Sequence, residues 1–212
     1  KVGYSNTFTL SMENNPLPDT VYNIDANNVL KGFKEGINLS QYDGVCNTMQ
    51  IPARATSVDH SAFEKDLLSL IPSFITNLIF ANGSNCSTIG QLSFAYNSSL
   101  TSIDLSQATK LTFIGSTPGG GGTFSCCTKL ISVKFPSSLN KINQYIFAQS
   151  SNLSSITWNA WKGNTEFGAD PFDRLPTTGI VIVTNPIDDA HNSAALLAYL
   201  KTKGLPSGWT IG

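Results

Sequence analysis

A short block of alternating apolar residues recurs along most of this chain and constrains its fold more than any other feature. The block reads apolar-x-x-apolar-x-apolar. Its last three positions alternate with a period of two, which is typical of a short, half-buried strand. Copies begin at Cys46, Ile75, Leu100, Leu130, Leu153 and, in degraded form, Thr177. We therefore expect one strand from each copy.

A second block, apolar-x-x-x-x-Phe, lies between these predicted strands. It occurs at Val58–Phe63, Ile89–Phe94 and Ile142–Phe147, in a longer form at Ile114–Phe124, and again at Phe167–Phe172. The next strand block begins six residues after Phe94, Phe124 and Phe147. This regular spacing predicts that these three phenylalanines are buried and stacked on one another.

The repeat unit is too short to fold alone. Equivalent strand positions are Met49, Leu78, Ile103, Val133, Ile156 and Ile180, which gives units of 23 to 25 residues with two insertions of about five. A unit of this size cannot bury its own apolar face, so the units must stack into one continuous core.

The pattern resembles the BspA-like class of leucine-rich repeats. The likeness is most complete from Phe124 through Cys127, Leu130, Val133 and Phe135 to Pro136, and it continues to Phe147. The resemblance implies an α/β-type repeat solenoid, a short leucine-rich-repeat stack with one short strand per coil. It also implies a bacterial or protist surface or secreted protein that binds host or matrix components.

Both ends of the chain predict caps on this stack. Residues 1–45 are interpreted as a lead-in and an N-terminal hairpin cap, residues 46–185 as the repeats, and residues 186–212 as a C-terminal helical cap of the same domain. Asp188 and Asp189 precede an apolar-periodic run that ends before Gly204. Acidic residues are favoured at a helix start and glycine after its end, so we expect the cap helix here.

Composition narrows the possible partners. Charged residues make up 13% of the chain and the net charge is −1, so no strong field would attract nucleic acid or an anionic membrane. The most apolar stretch, residues 67–81, is interrupted by polar residues and proline, and no transmembrane segment is expected. The polar residues are mostly neutral, 25 Ser, 20 Thr and 19 Asn, which favours a secreted or cell-surface protein. That the protein is bacterial is implied by the resemblance to BspA-like repeats.

No motif in the sequence predicts catalysis, a metal site or a cofactor. Cys46, Cys86 and Cys127 occupy core slots of the repeat and are predicted to be free and shielded, so that alkylation of the native protein should label at most Cys126. His60 and His191 share no motif with a nucleophile. We therefore expect no catalytic residues, no metal ligands and no cofactor.

Two features keep other interpretations open. Asp170 and Asp173 form the nearest carboxylate pair, and a carbohydrate-active enzyme on a parallel β-solenoid is one alternative. The other is a structural spacer that carries another domain. The glycine run Gly119–Gly122 has no phosphate-loop motif after it and is interpreted as a surface loop and a rival binding site.

The leading hypothesis is a non-enzymatic module for adhesion or for protein or glycan binding. Residues between the buried strand positions should point outward on the concave side of the stack. Thr48 belongs to this set, and the residues we expect to contact the ligand are Gln50, Asn77, Ile79, Ser102, Asp104, Ser132, Lys134, Ser155 and Thr157. They are mostly small and polar, with one acidic and one basic member.

Overall fold

The computed structural model describes residues 15–64, 71–115 and 121–212. The described chain begins with an antiparallel hairpin of β1 (Tyr22–Ile24) and β2 (Val29–Phe33), which confirms the predicted N-terminal hairpin cap. The strands of the remaining described chain pair in parallel, and one helix, α1 (Ser193–Thr202), lies near the C-terminus. The predicted repeat solenoid is confirmed.

Within the described residues, one seven-stranded sheet runs the length of the stack, and we call it the main sheet. Its strands follow one another in chain order and pair in parallel. They are β3 (Thr48–Ile51), β5 (Asn77–Phe80), β7 (Ser102–Asp104), β9 (Ser132–Phe135), β11 (Ser155–Asn159), β13 (Thr178–Thr184) and β14 (Gly208–Ile211). We call each main-sheet strand, together with the chain up to the next such strand, a coil. Strands β3, β5, β7, β9, β11 and β13 thus begin six successive coils.

The same coils also build a minor sheet that the sequence patterns did not single out. The hairpin continues into five two-residue strands, which pair in parallel at the start of each apolar-x-x-x-x-Phe block. They are β4 (Ser57–Val58), β6 (Thr88–Ile89), β8 (Phe113–Ile114), β10 (Lys141–Ile142) and β12 (Glu166–Phe167). The core lies between the two sheets and the turns that follow the minor sheet.

Alternate burial along the main-sheet strands sets which residues face outward. Met49, Leu78, Ile103, Val133 and Ile156 are buried in neighbouring strands, as predicted. The prediction for the degraded repeat is wrong by one residue. Ile156 pairs with Val181 and not with Ile180, so Val181 is buried and Ile180 is 37% exposed.

The repeat phenylalanines form a continuous stack inside the turns. Phe94, Phe124 and Phe147 have no exposed surface, and neighbouring rings lie 5.6 Å and 6.1 Å apart at small interplanar angles. Phe63 extends the stack at 5.4 Å from Phe94. The prediction of a buried phenylalanine stack is confirmed.

A row of side-chain hydrogen bonds beside this stack gives partners to the backbone carbonyls of the phenylalanines. The residue three positions after each phenylalanine donates a hydrogen bond to the phenylalanine carbonyl of the preceding coil. Asn97 donates to Phe63 at 2.7 Å, the Cys127 thiol contacts the Phe94 carbonyl at 3.3 Å, and Ser150 donates to Phe124 at 2.9 Å. Since a buried carbonyl without a partner is costly, these small polar side chains stabilise the stack.

The C-terminal cap combines a helix with a last strand. Helix α1 begins at Ser193, and Asn192 caps it by accepting a hydrogen bond from the Ala195 amide. The expectation that Asp188 and Asp189 open this helix is wrong, because Asp188 caps a separate 3-10 turn at Asp189–His191. The apolar side of α1 buries Leu196 and Leu200 against the end of the stack.

Candidate binding surface

The outward residues of the main sheet form two rows across neighbouring strands, and we call both rows together the outer face. Register pairs place Gln50, Ile79, Asp104, Lys134 and Thr157 in one row. The other row holds Asn77, Ser102, Ser132 and Ser155. All nine predicted contact residues are therefore brought together, each of them partly exposed.

A shallow depression of about 500 Å³ lies at the N-terminal half of the outer face. Four predicted contact residues line it, namely Gln50, Ile79, Asp104 and Lys134. Three polar residues that the sequence analysis missed also line it: Asn82, Ser106 and Gln107. Asn82 lies two residues past the end of β5, and Ser106 and Gln107 lie two and three residues past the end of β7, so their signal in the sequence is a polar residue shortly after a strand.

The charges of this depression face each other. Lys134 Nζ lies 3.8 Å from Asp104 Oδ2, and both side chains are about 40% exposed. Asp104 also accepts a hydrogen bond of 2.8 Å from the Ser106 amide. The Asp104 carboxylate is thus held in place by a backbone donor while part of it stays open to a ligand.

The second row is held together by a side-chain hydrogen bond. The Ser102 hydroxyl donates to Asn77 Oδ1 at 2.6 Å across the register pair of β5 and β7. Such cross-strand bonds fix short side chains without using long flexible ones. This hydrogen bond fixes the relative positions of the Asn77 and Ser102 side chains on the outer face.

The two ends of the outer face differ from the prediction. Thr48 is fully buried, because Pro16 bridges to it and Leu17 donates its amide hydrogen to the Thr48 carbonyl. At the other end, the corrected register continues the rows with Ile180 and Ile182. The outer face thus changes from polar to apolar toward its C-terminal end.

The model of the BspA-type leucine-rich repeat region matches this chain in six copies, over residues 35–118 and 72–189. The chain belongs to the BspA-type leucine-rich repeat family. A search of curated protein sequences found no match.

Two solved structures are similar to this member of the family. The pneumococcal vaccine antigen PcpA matches with a TM-score of 0.50 and 26% identity over 66% of this chain and 31% of the antigen. A leucine-rich cell surface protein from Faecalibacterium prausnitzii A2-165 matches with a TM-score of 0.35 and 18% identity, over 82% of this chain and 56% of that protein. The chain therefore spans about a third of the first protein and over half of the second.

Three of the four cysteines of this BspA-type chain lie in its core. Cys46, Cys86 and Cys127 are free and buried as predicted, while Cys126 is partly exposed. Burial raises the pKa of Cys86 and Cys127 from 9.0 to about 12, which opposes formation of a reactive thiolate. His60 lies in the turn that follows β4.

The remaining candidates sit around the C-terminal cap. His191 contacts Asp188 at 2.6 Å, and this hydrogen bond lowers the pKa of the Asp188 carboxyl. Asp173 Oδ2 lies 3.7 Å from Arg174 Nε in the turn after Phe172.

Over the described ranges of the chain, no group of three or more histidine, cysteine, aspartate or glutamate side chains is arranged to hold a metal ion. The same ranges contain no helix with the length and apolar character needed to cross a membrane.

The tryptophans and the glycine run are also placed. Trp158, Trp161 and Trp209 are buried, and Trp161 packs under the cap at 5.6 Å from the Tyr199 ring. Gly119 and Gly120 of the predicted rival site lie outside the described residues. Gly121 and Gly122 line a second depression, on the turns and away from the outer face.

Proposed function

We propose that this BspA-type chain is a non-enzymatic binding module, and that a protein or glycan partner binds on its outer face. The observation that carries the proposal is the depression lined by Gln50, Ile79, Asp104 and Lys134. Surface concavities with a few convergent polar groups are where ligands most often bind.

The residue types at the inward and outward strand positions support a site on the outer face. The inward strand positions repeat as aliphatic or aromatic residues. In the outward row from Gln50 to Thr157 the residue changes with every coil, whereas the other row repeats serine from Ser102 to Ser155. Asn77 pairs with Ser102 and Asp104 with Lys134, so neighbouring coils present different groups. A fixed scaffold with a variable face is the usual arrangement of repeat proteins that bind partners.

The chemistry of the outer face favours a partner recognised through hydrogen bonds. Most outward side chains are short and polar, and its Asp104–Lys134 pair is locally neutral. Ordering short side chains on binding costs little entropy, because each has few rotamers to lose. Amide, hydroxyl and charged groups together match a protein backbone or a hydroxyl-rich glycan.

A location outside the cell is part of the proposal. It is supported by the family and by the description of the similar pneumococcal protein as a vaccine antigen. We infer that the chain is secreted or displayed on a bacterial surface, where matrix proteins and glycans are available.

A binding screen with a matched pair of variants tests the function. The protein is screened against matrix proteins and a glycan array, and the Kd of the strongest partner is measured by titration calorimetry. The Asp104→Ala/Lys134→Ala variant should bind roughly tenfold more weakly, the effect of losing about 1.4 kcal/mol of contact energy.

The control removes a similar ion pair away from the outer face. Lys31 and Asp59 lie 2.9 Å apart, on β2 and just after β4, and are exposed to a similar degree. Lys31→Ala/Asp59→Ala should leave the Kd unchanged. Equal Kd values for both double variants would remove the site from the outer face. Hydrolysis of a polysaccharide by the protein would instead support an enzyme, and a screen with no partner would support the spacer interpretation.

A further inference from the structure

The second depression has a volume of about 460 Å³ and lies on the turns of three successive coils, with Asp173 contributed by the coil that follows them. Tyr96 comes from the first of these coils and Tyr145 from the third, and both line the depression. These residues are 41% and 40% exposed, whereas most of the other aromatic residues that the structure describes are buried. The middle coil contributes Gly122 and Cys126.

The turn backbone explains why the depression forms. In the turns at Phe94, Phe124 and Phe147, the residues two before and two after the phenylalanine donate their amide hydrogens to the next coil, as Tyr96 does to Ser125 and Cys126 to Ala148. Both positions have positive φ in these turns, including 68° at Gly122. A Cβ on Gly122 would lie 3.1 Å from Leu92 Cδ2, so glycine keeps the floor between the two tyrosines open.

The tyrosines occupy these positions against backbone preference. Tyr96 has φ 62° and Tyr145 has φ 55°, a region that bulky residues rarely adopt. The equivalent turn positions that the structure describes all have positive φ, so this conformation belongs to the repeat. They hold Ser61, Leu92, Gly122, Cys126, Gln149, Asp170 and Arg174, so the turn itself does not require an aromatic ring.

The groups around the two rings define the chemistry of a ligand. Gln91 and Gln149 bring amide side chains to the depression, and the Ser125 hydroxyl donates to the Gly122 carbonyl at 2.8 Å. None of the described lining residues is a lysine or an arginine, and the one carboxylate among them is that of Asp173, whose Oδ2 lies 3.7 Å from Arg174 Nε. An exposed tyrosine offers an apolar ring face and a polar hydroxyl, which suits a ligand with both C–H faces and hydroxyl groups.

We propose that this depression is a second binding site, for a neutral oligosaccharide whose sugar rings pack against Tyr96 and Tyr145. Because none of the described lining residues is cationic and Asp173 is acidic, a phosphate-rich or acidic ligand is disfavoured. The aliphatic lining, Leu92 and Ala148, is too small for an apolar peptide to be the better occupant. The site stands apart from the outer face and does not depend on the function proposed for it.

Cys126 provides a direct readout, because it lines the depression and the other three cysteines are buried. A printed array of neutral oligosaccharides identifies the tightest binder, and alkylation of the native protein by iodoacetamide is followed with and without it. The bound sugar should slow the labelling of Cys126. Tyr96→Ala and Tyr145→Ala should each weaken sugar binding roughly tenfold and restore labelling, while the matching Tyr→Phe variants retain protection.

Several results would overturn the proposal. These are an array without any hit, labelling that is unchanged by a bound sugar, and protection that survives both alanine substitutions. Protection by peptides but not by sugars would do the same. Asp104→Ala/Lys134→Ala should leave the protection of Cys126 intact, so that a failure at one site is distinguished from a failure at the other.

Discussion

Replacement of Phe124 by alanine is the sharpest test of the stacked core. Phe124 is fully buried in the middle of the phenylalanine stack, 5.6 Å from Phe94 and 6.1 Å from Phe147. The substitution removes the ring contacts that join three coils at once. Because the ladder of backbone hydrogen bonds limits how far the turn can collapse, a cavity should remain.

The expected loss of unfolding free energy is about 3–5 kcal/mol, which is usual for a buried Phe→Ala change. The two stacked ring pairs account for about 0.5–1.5 kcal/mol each within that total. For a chain of this size the loss corresponds to a fall in Tm of roughly 6–20 °C. Urea unfolding is followed by far-UV circular dichroism and by the fluorescence of the tryptophans, of which Trp158 is buried beside Phe135.

The control is Phe113→Ala, in the same coil. Phe113 is only partly buried on β8, with Lys141 Nζ 5.6 Å from its ring centroid. Its loss should cost less than about 1.5 kcal/mol, mostly from the cation–π contact and partial burial. Equal costs for Phe113→Ala and Phe124→Ala would refute the assignment of the core to the phenylalanine stack.

Two further predictions concern the thiols and the last repeat. Because burial raises the pKa of Cys86 and Cys127 from 9.0 to about 12, the unfolded chain ionises first, and the unfolding free energy should fall as the pH rises from 9 toward 12. Urea titrations across that range should show a shallower fall for the Cys86→Ala/Cys127→Ala protein, and parallel profiles would contradict the buried assignment. Val181→Ala should destabilise the protein by about 1.5–3 kcal/mol, whereas Ile180→Ala should cost well under that in the same unfolding assay. The reverse order would restore the register that the sequence pattern predicted.

The strands were predictable because their spacing and their alternation agree. In the last repeat the spacing and the alternation no longer select the same residue. Ile180 and Val181 are both apolar, so the local sequence allows either of them to face inward. Parallel pairing with Ile156 selects Val181, and that contact is not visible in the local pattern. The final strand β14 was missed because a short run after Gly204 offers little alternation beyond Trp209.

The sequence predicted which strand residues point outward, but it did not predict every feature of the outer face. The period of two places Asp104 and Lys134 outward, and the stacking of repeats brings them together. The burial of Thr48 by the Pro16 segment depends on a contact between distant residues. The turn depression was not predictable, because positive φ at Tyr96 and Tyr145 leaves no mark in a sequence without glycine at those positions.

The central claim is that the outer face of the main sheet binds the partner, and one bulky substitution tests it most directly. Ser132 lies in the middle of the outer face, and Thr88 occupies an outward position on the minor sheet with similar partial exposure. The measurement is the Kd of the strongest protein or glycan partner for Ser132→Trp and Thr88→Trp, with circular dichroism to confirm both folds. Binding on the outer face predicts a loss of at least about tenfold for Ser132→Trp and no change for Thr88→Trp. An unchanged Kd for Ser132→Trp, in a protein that is folded and still binds, would contradict the claim.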